Sequence, residues 1–148
     1  MYNAMEVAVM GEWPINTIVL GYDGSAGAEK AVRLAAEVAG RRDAKVVVLT
    51  AYAETFNDPE MQETGRKIFH ARQKADAVVG QMGELGIAAE SDVAEGPAAE
   101  AIRVAAEVRS ADLIVIGPRG PRSLRALLSR STGRQLLRHA PAPVLVAR

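Results

Sequence analysis

The sequence contains no cysteine, which excludes disulfides, thiolate metal sites and cysteine nucleophiles and fits a reducing, cytoplasmic setting. Aromatic residues make up only 4%, so a buried core has to be assembled from Val, Leu, Ile and Ala. No apolar run approaches the roughly 18 residues that a membrane-spanning helix needs, and no membrane association is expected. The first stretch carries Glu6 and Glu12 but no Lys or Arg, so it lacks the basic region of a secretory signal. It reads as a short extension over residues 1–15, ahead of a single domain over 16–148. Histidines number two, His70 and His139, and both fall on helical segments where a structural role is the norm. No cluster with metal-ligand spacing and no Ser-His-Asp arrangement can be read from the spacing.

What is present is a chain of 148 residues, 49% of them hydrophobic, long enough for one domain with a sizeable core. Its net charge is zero, which gives no global reason to bind nucleic acid. The charges are nevertheless segregated. All 18 acidic residues lie at or before Asp112, and the segment beyond it carries seven arginines and no acid. This asymmetry favours an anion near the loop after Gly117. The alternative is a solvated arginine-rich face that pairs with acidic helices of the same fold. RNA is a weaker candidate partner, because no aromatic stacking residues accompany the arginines.

Along the chain, residues 16–22 (NTIVLGY) read as a first strand, broken by Asp23-Gly24-Ser25, with Ser25 suited to cap the following helix. Ala31, Val32, Ala35, Val38 and Ala39 repeat at helical spacing, with Gly40 near the expected end. Residues 45–52 (KVVVLTAY) read as a second strand. A polar loop over 53–59 precedes a long amphipathic helix carrying Ile68, Ala71, Ala75, Val78, Met82 and Leu85, whose last turns are weakened by Gly80 and Gly83. A weaker strand over 87–94 leads to Gly96-Pro97, with Pro97 suited to the first position of a third helix. Residues 112–116 form a fourth strand, a last helix spans about 131–139, and residues 144–147 form a fifth strand. Strands alternating with helices predict an α/β fold with a parallel sheet covered on both faces.

Ligands of open α/β sheets bind beyond the carboxyl ends of the strands, where strand order reverses. Two polar clusters fall at such ends. Asp23 follows the first strand, and Gly117-Pro118-Arg119-Gly120 follows the fourth, with Ser131 and Thr132 further on. Glycines there let backbone N–H groups approach a phosphate. Each cluster also has a plain structural reading. Asp23 can shape a turn, and Gly117 and Gly120 can be loop punctuation. Thr132 with Gln135 forms a T-x-x-Q capping box, which leaves Ser131 as the better phosphate donor at the positive end of a helix.

These residues together resemble the universal stress protein family. The resemblance rests on Y-D-G-S at 22–25, Gly96-Pro97, the ADLIVIG block with its G-x2-G at Gly117 and Gly120, and LRHAPAPVLV near the C-terminus. Each motif is weak alone; their joint order over 16–148 is specific. The resemblance implies a flavodoxin-like, five-stranded parallel sheet of order 3-2-1-4-5 with helices on both faces. It implies ATP in the crevice of nucleotide-binding members, with Mg2+ only when ATP is bound. On that model Asp23 meets the adenine-ribose end, the backbone at Ala51 lines the adenine pocket, and Gly21 is counted among the cofactor-binding residues. Gly117 and Gly120 shape the ribose and phosphate path, and Ser131 and Thr132 donate to phosphate. It also implies a homodimer paired through the fifth strand, 144–147.

The chain departs from the family pattern decisively at one place: Arg130 stands where the third glycine of G-x2-G-x9-G is expected, and Gly133 stands where the family often has a further Ser or Thr. The Arg130 side chain either blocks the approach of backbone to phosphate or supplies a charge-assisted fork in its place. The leading expectation is an adenine-nucleotide-binding or -sensing stress protein. The rivals are a non-nucleotide interaction protein, closed by Arg130 and serving an unidentified protein partner, and a slow ATPase. The P-loop signature is absent and no general base is recognisable, so no efficient enzyme is expected.

Overall fold

A computed structural model of the protein describes residues 13–117 and 138–147. Its element order is β1 (Thr17–Gly21), α1 (Ala26–Arg42), β2 (Lys45–Tyr52), α2 (Gln62–Glu84), β3 (Ala89–Glu95), α3 (Ala98–Val108), β4 (Leu113–Ile116) and β5 (Val144–Val146). The strands form one parallel sheet, as their alternation with helices led us to expect, and its order β3-β2-β1-β4-β5 is the one the resemblance implies. The order reverses between β1 and β4, so the carboxyl ends of those two strands flank the switch point.

Side-chain alternation along the strands splits the core into two halves. Ile18, Leu20, Val46, Val48, Leu113 and Val115 face α1 and α2, where they meet Ala31, Ala35, Ala75, Val78 and Met82. Val19, Val47, Leu49, Ile114 and Ile116 face α3 and pack on Ala101, Ile102 and Ala105. Burial on both faces is why these strands read as continuous apolar runs. Each fully buried Val, Leu or Ile contributes about 1.5–3 kcal/mol. Among the described residues no aromatic ring is fully buried in either cluster, and half-buried Tyr22 packs against the first. Alanine lets the helices lie close to the sheet and so replaces bulk with proximity.

Helix ends show where local chemistry overrides the simplest sequence signals. Ser25 caps α1 by accepting from Ala28 N at 3.1 Å. At its other end α1 runs through Gly40, and Asp43 takes the left-handed cap at φ 54°. Asp tolerates that conformation, and Arg41 and Arg42 suit the last turn of the helix dipole. Helix α2 continues through Gly80 and Gly83 to Glu84, its last turns held by buried Val78 and Met82. Its start is capped from a distance, since Asp58 accepts from Gln62 N at 3.1 Å and Thr64 N at 2.8 Å. Those backbone bonds hold the Asp58 carboxyl below its usual range. Pro97 is the N-cap of α3, one position earlier than expected, because its extended backbone (ψ 136°) precedes the helical residues. Of the last expected helix, only Arg138 and His139 fall within the described residues, and both are helical.

Candidate functional site

A cavity of about 390 Å³ opens at the carboxyl edge of the sheet, a volume suited to a small ligand. Its floor is the ends of β1, β2 and β4, contributed by Gly21, Leu49, Ala51 and Ile116. One wall is the start of α3, from Pro97 to Ile102, and another is the turn that follows β1, with Tyr22 and Asp23. Tyr52 and Ala53 continue β2 past the edge, and Lys74 reaches in from α2. The lining is chiefly apolar and aromatic, with two charged side chains among the described residues, Asp23 and Lys74.

The turn after β1 is built by its own sequence. Tyr22 N donates to Leu49 O at 2.9 Å, which keeps the chain attached to β2 one residue beyond the strand. Gly24 then takes φ +83°, a region that side chains with a Cβ rarely adopt. Asp23 Oδ1 accepts from Ser25 N at 3.0 Å, forming an Asx turn that leads directly into the Ser25 cap. The turn-shaping and ligand-facing readings of Asp23 are therefore compatible. One carboxylate oxygen fixes the turn, and the residue as a whole lines the cavity.

Tyr22 anchors the same wall. Its hydroxyl donates to Glu29 in the first turn of α1. Burial, and then the bond to Glu29, push its pKa up to about 12, so the phenol remains a neutral donor at any physiological pH. Gly117, just past β4, is the tight point of the edge. A Cβ there would lie 2.5 Å from Gly27 O and 2.9 Å from Ala28 N, so only glycine lets β4 meet the first turn of α1. Gly21 is more forgiving, because an added Cβ would meet the mobile end of Ile102 at 2.8 Å.

Of the residues singled out from sequence, Gly21, Asp23 and Ala51 line this one cavity, and Gly117 lies beside it, next to Ile116. Gly120, Arg130, Ser131 and Thr132 lie outside the described residues. Sequence reasoning missed Tyr22, Tyr52, Lys74 and the Pro97–Ile102 wall as site residues. The wall was within reach, because Gly96-Pro97 closes the third strand at the same edge where ligands of this architecture bind. Lys74 carries no such signal, being one of several cations on a long helix.

Among the described residues no His, Cys, Asp and Glu group could hold a metal ion, and no helix is long and apolar enough to cross a membrane. Comparison with known proteins gives a consistent result. The model of the "Universal stress protein family" matches residues 14–148. A universal stress protein of Thermus aquaticus is 33% identical over 136 residues, covering 89% of this chain and 98% of the relative. A crystal structure of a universal stress protein family member from Burkholderia pseudomallei superposes with a TM-score of 0.69 at 28% identity, covering 89% of this chain and 95% of that one. A universal stress protein solved in complex with cAMP superposes with a TM-score of 0.65 at 25% identity, covering 91% of this chain and 98% of that one.

Proposed function

The chain belongs to the universal stress protein family, and on that premise we propose that it binds an adenine nucleotide in the crevice at the carboxyl edge of its sheet. The observation that carries the proposal is that Gly21, Asp23 and Ala51, singled out from strand-end position and family resemblance, converge on one largely apolar cavity at the switch point. A flat base suits walls made of Tyr22, Tyr52, Ile102 and the backbone of Ala51. A carboxylate such as that of Asp23 suits ribose hydroxyls, because it accepts hydrogen bonds without needing a proton. The relative solved with cAMP supports the ligand class. ATP, accompanied by Mg2+, is the fuller form of the same ligand.

The role that follows is sensing in a cytoplasmic stress response rather than turnover. A bound nucleotide shifts the population of crevice conformations and so changes a surface presented to a protein partner. The protein acts as a homodimer, with the short apolar strand β5 paired to its copy. Calorimetry with ATP, ADP, AMP and cAMP tests the central claim. Saturable heat with at least one nucleotide at or below millimolar concentration is expected, and silence with all four sinks it.

A further inference from the structure

The cavity holds one positive charge among its described lining residues, and it comes from an element that the sequence motifs do not touch. Lys74 lies on α2 beside buried Ala71 and Ala75, so the face that α2 buries against the sheet fixes where this side chain emerges. It emerges over the turn after β1. Its Cδ and Cε atoms pass 3.7 Å from the point a Cβ on Gly24 would occupy. No hydrogen bond or ion pair engages Lys74 among the described residues, and none joins it to Asp23. Helix α2 covers the opposite sheet face from α3, so Lys74 and Ile102 enter the cavity from opposite sides. The site is thus apolar on one side and carries an acceptor and a cation, unpaired with each other, on the other.

We propose that Lys74 is the specificity-determining residue by which this crevice distinguishes a nucleotide from a nucleoside, its ammonium meeting the phosphate of the ligand. The inference rests on the nucleotide-binding reading above. Among the described residues no hydrogen bond or ion pair joins Asp23 to Lys74. Left apart, they offer a hydroxyl-bearing group and an anionic group separate places on one ligand. An ammonium acts here as a point charge on a flexible stem, so charge matters more than fork geometry. Screening by salt should weaken phosphate recognition and leave the base contacts alone.

The test is calorimetric titration of AMP and of adenosine into the wild-type protein, Lys74→Met and Lys74→Arg. The wild type should prefer AMP. Lys74→Met should lose roughly tenfold in AMP affinity, the scale of one charge-assisted hydrogen bond, with adenosine affinity unchanged. Lys74→Arg should restore most of the preference, which a merely structural role would not predict. Both ligands weakened equally in Lys74→Met, or an unaltered ratio between them, overturns the role of Lys74 while leaving nucleotide binding intact. Wild-type protein that binds neither ligand overturns the nucleotide reading and this inference with it.

Discussion

Two aspartates stand at opposite ends of the sheet, and they are used differently. Asp112, at the amino edge just before β4, accepts from Asn16 N at 2.8 Å and from Thr17 N at 3.0 Å through one carboxylate oxygen. It ties the entry of β1 to the entry of β4, and Asp112 N completes the junction by donating to Thr17 O at 2.8 Å. Asp23, at the carboxyl edge just after β1, accepts a local bond from Ser25 N, its one hydrogen bond among the described residues, and lines a cavity. Both residues are half-buried and adjoin central strands. Composition and position along the chain do not separate them. What separates them, among the described residues, is the number of backbone donors each has been given and the cavity that Asp23 lines.

The carboxyl edge is not uniformly open, and its closed point gives the largest expected effect. Gly117→Ala places a methyl group 2.5 Å from the carbonyl oxygen of Gly27, where both partners are backbone and neither can rotate away. We expect a loss of about 3 kcal/mol in urea unfolding, at the upper end of overpacking costs. A loss below about 0.5 kcal/mol would mean that β4 and α1 are not in the close contact described, the range of an ordinary surface substitution. Next in size is Asp112→Ala, which removes two bonds to a charged acceptor, leaving part-buried Thr17 N without its side-chain partner and exposed Asn16 N to water, and should cost about 1.5 kcal/mol.

Asp23→Ala completes the contrast. It removes one Asx bond and should cost below about 1 kcal/mol in stability. Its effect belongs to binding instead. Adenine-nucleotide affinity should fall at least tenfold, or about 1.4 kcal/mol, by calorimetry. The opposite ranking, with Asp23→Ala the more destabilising variant and nucleotide affinity unmoved, would break the comparison and reassign Asp23 to the scaffold.

The fold was legible in the sequence because its signals are redundant. β1, β2 and β4 are apolar runs buried on both faces, separated by helices whose alanine spacing names the inward side. A single residue locates an element's end only approximately. Gly40 lies near the end of α1 as expected, and the left-handed turn itself falls at Asp43. The site was half legible for a related reason. Asp23 and Ala51 lie at strand ends, where topology alone predicts a ligand, whereas Lys74 reaches the crevice through the rotation of α2 about its own axis. That rotation is set by packing Ala71, Ala75 and Val78 on the sheet, and no local motif records it.

The smallest expected effect concerns Tyr22, which joins the open edge to the scaffold through its bond to Glu29. At neutral pH, Tyr22→Phe should cost below about 1 kcal/mol, the net worth of a partly exposed hydrogen bond. The informative difference is in alkali. An unfolded tyrosine ionises near its ordinary value of 10.0, whereas in the folded protein the phenol is held neutral until about 12. Stability from this group is therefore fully present below pH 10 and is lost as pH rises towards 12, because the unfolded chain sheds its proton first. Urea unfolding of the wild type should weaken more steeply over that window than unfolding of Tyr22→Phe. Parallel curves would show that Tyr22 is as free as a solvent-exposed phenol, and the wall it forms beside Asp23 would then be no more fixed than a surface loop.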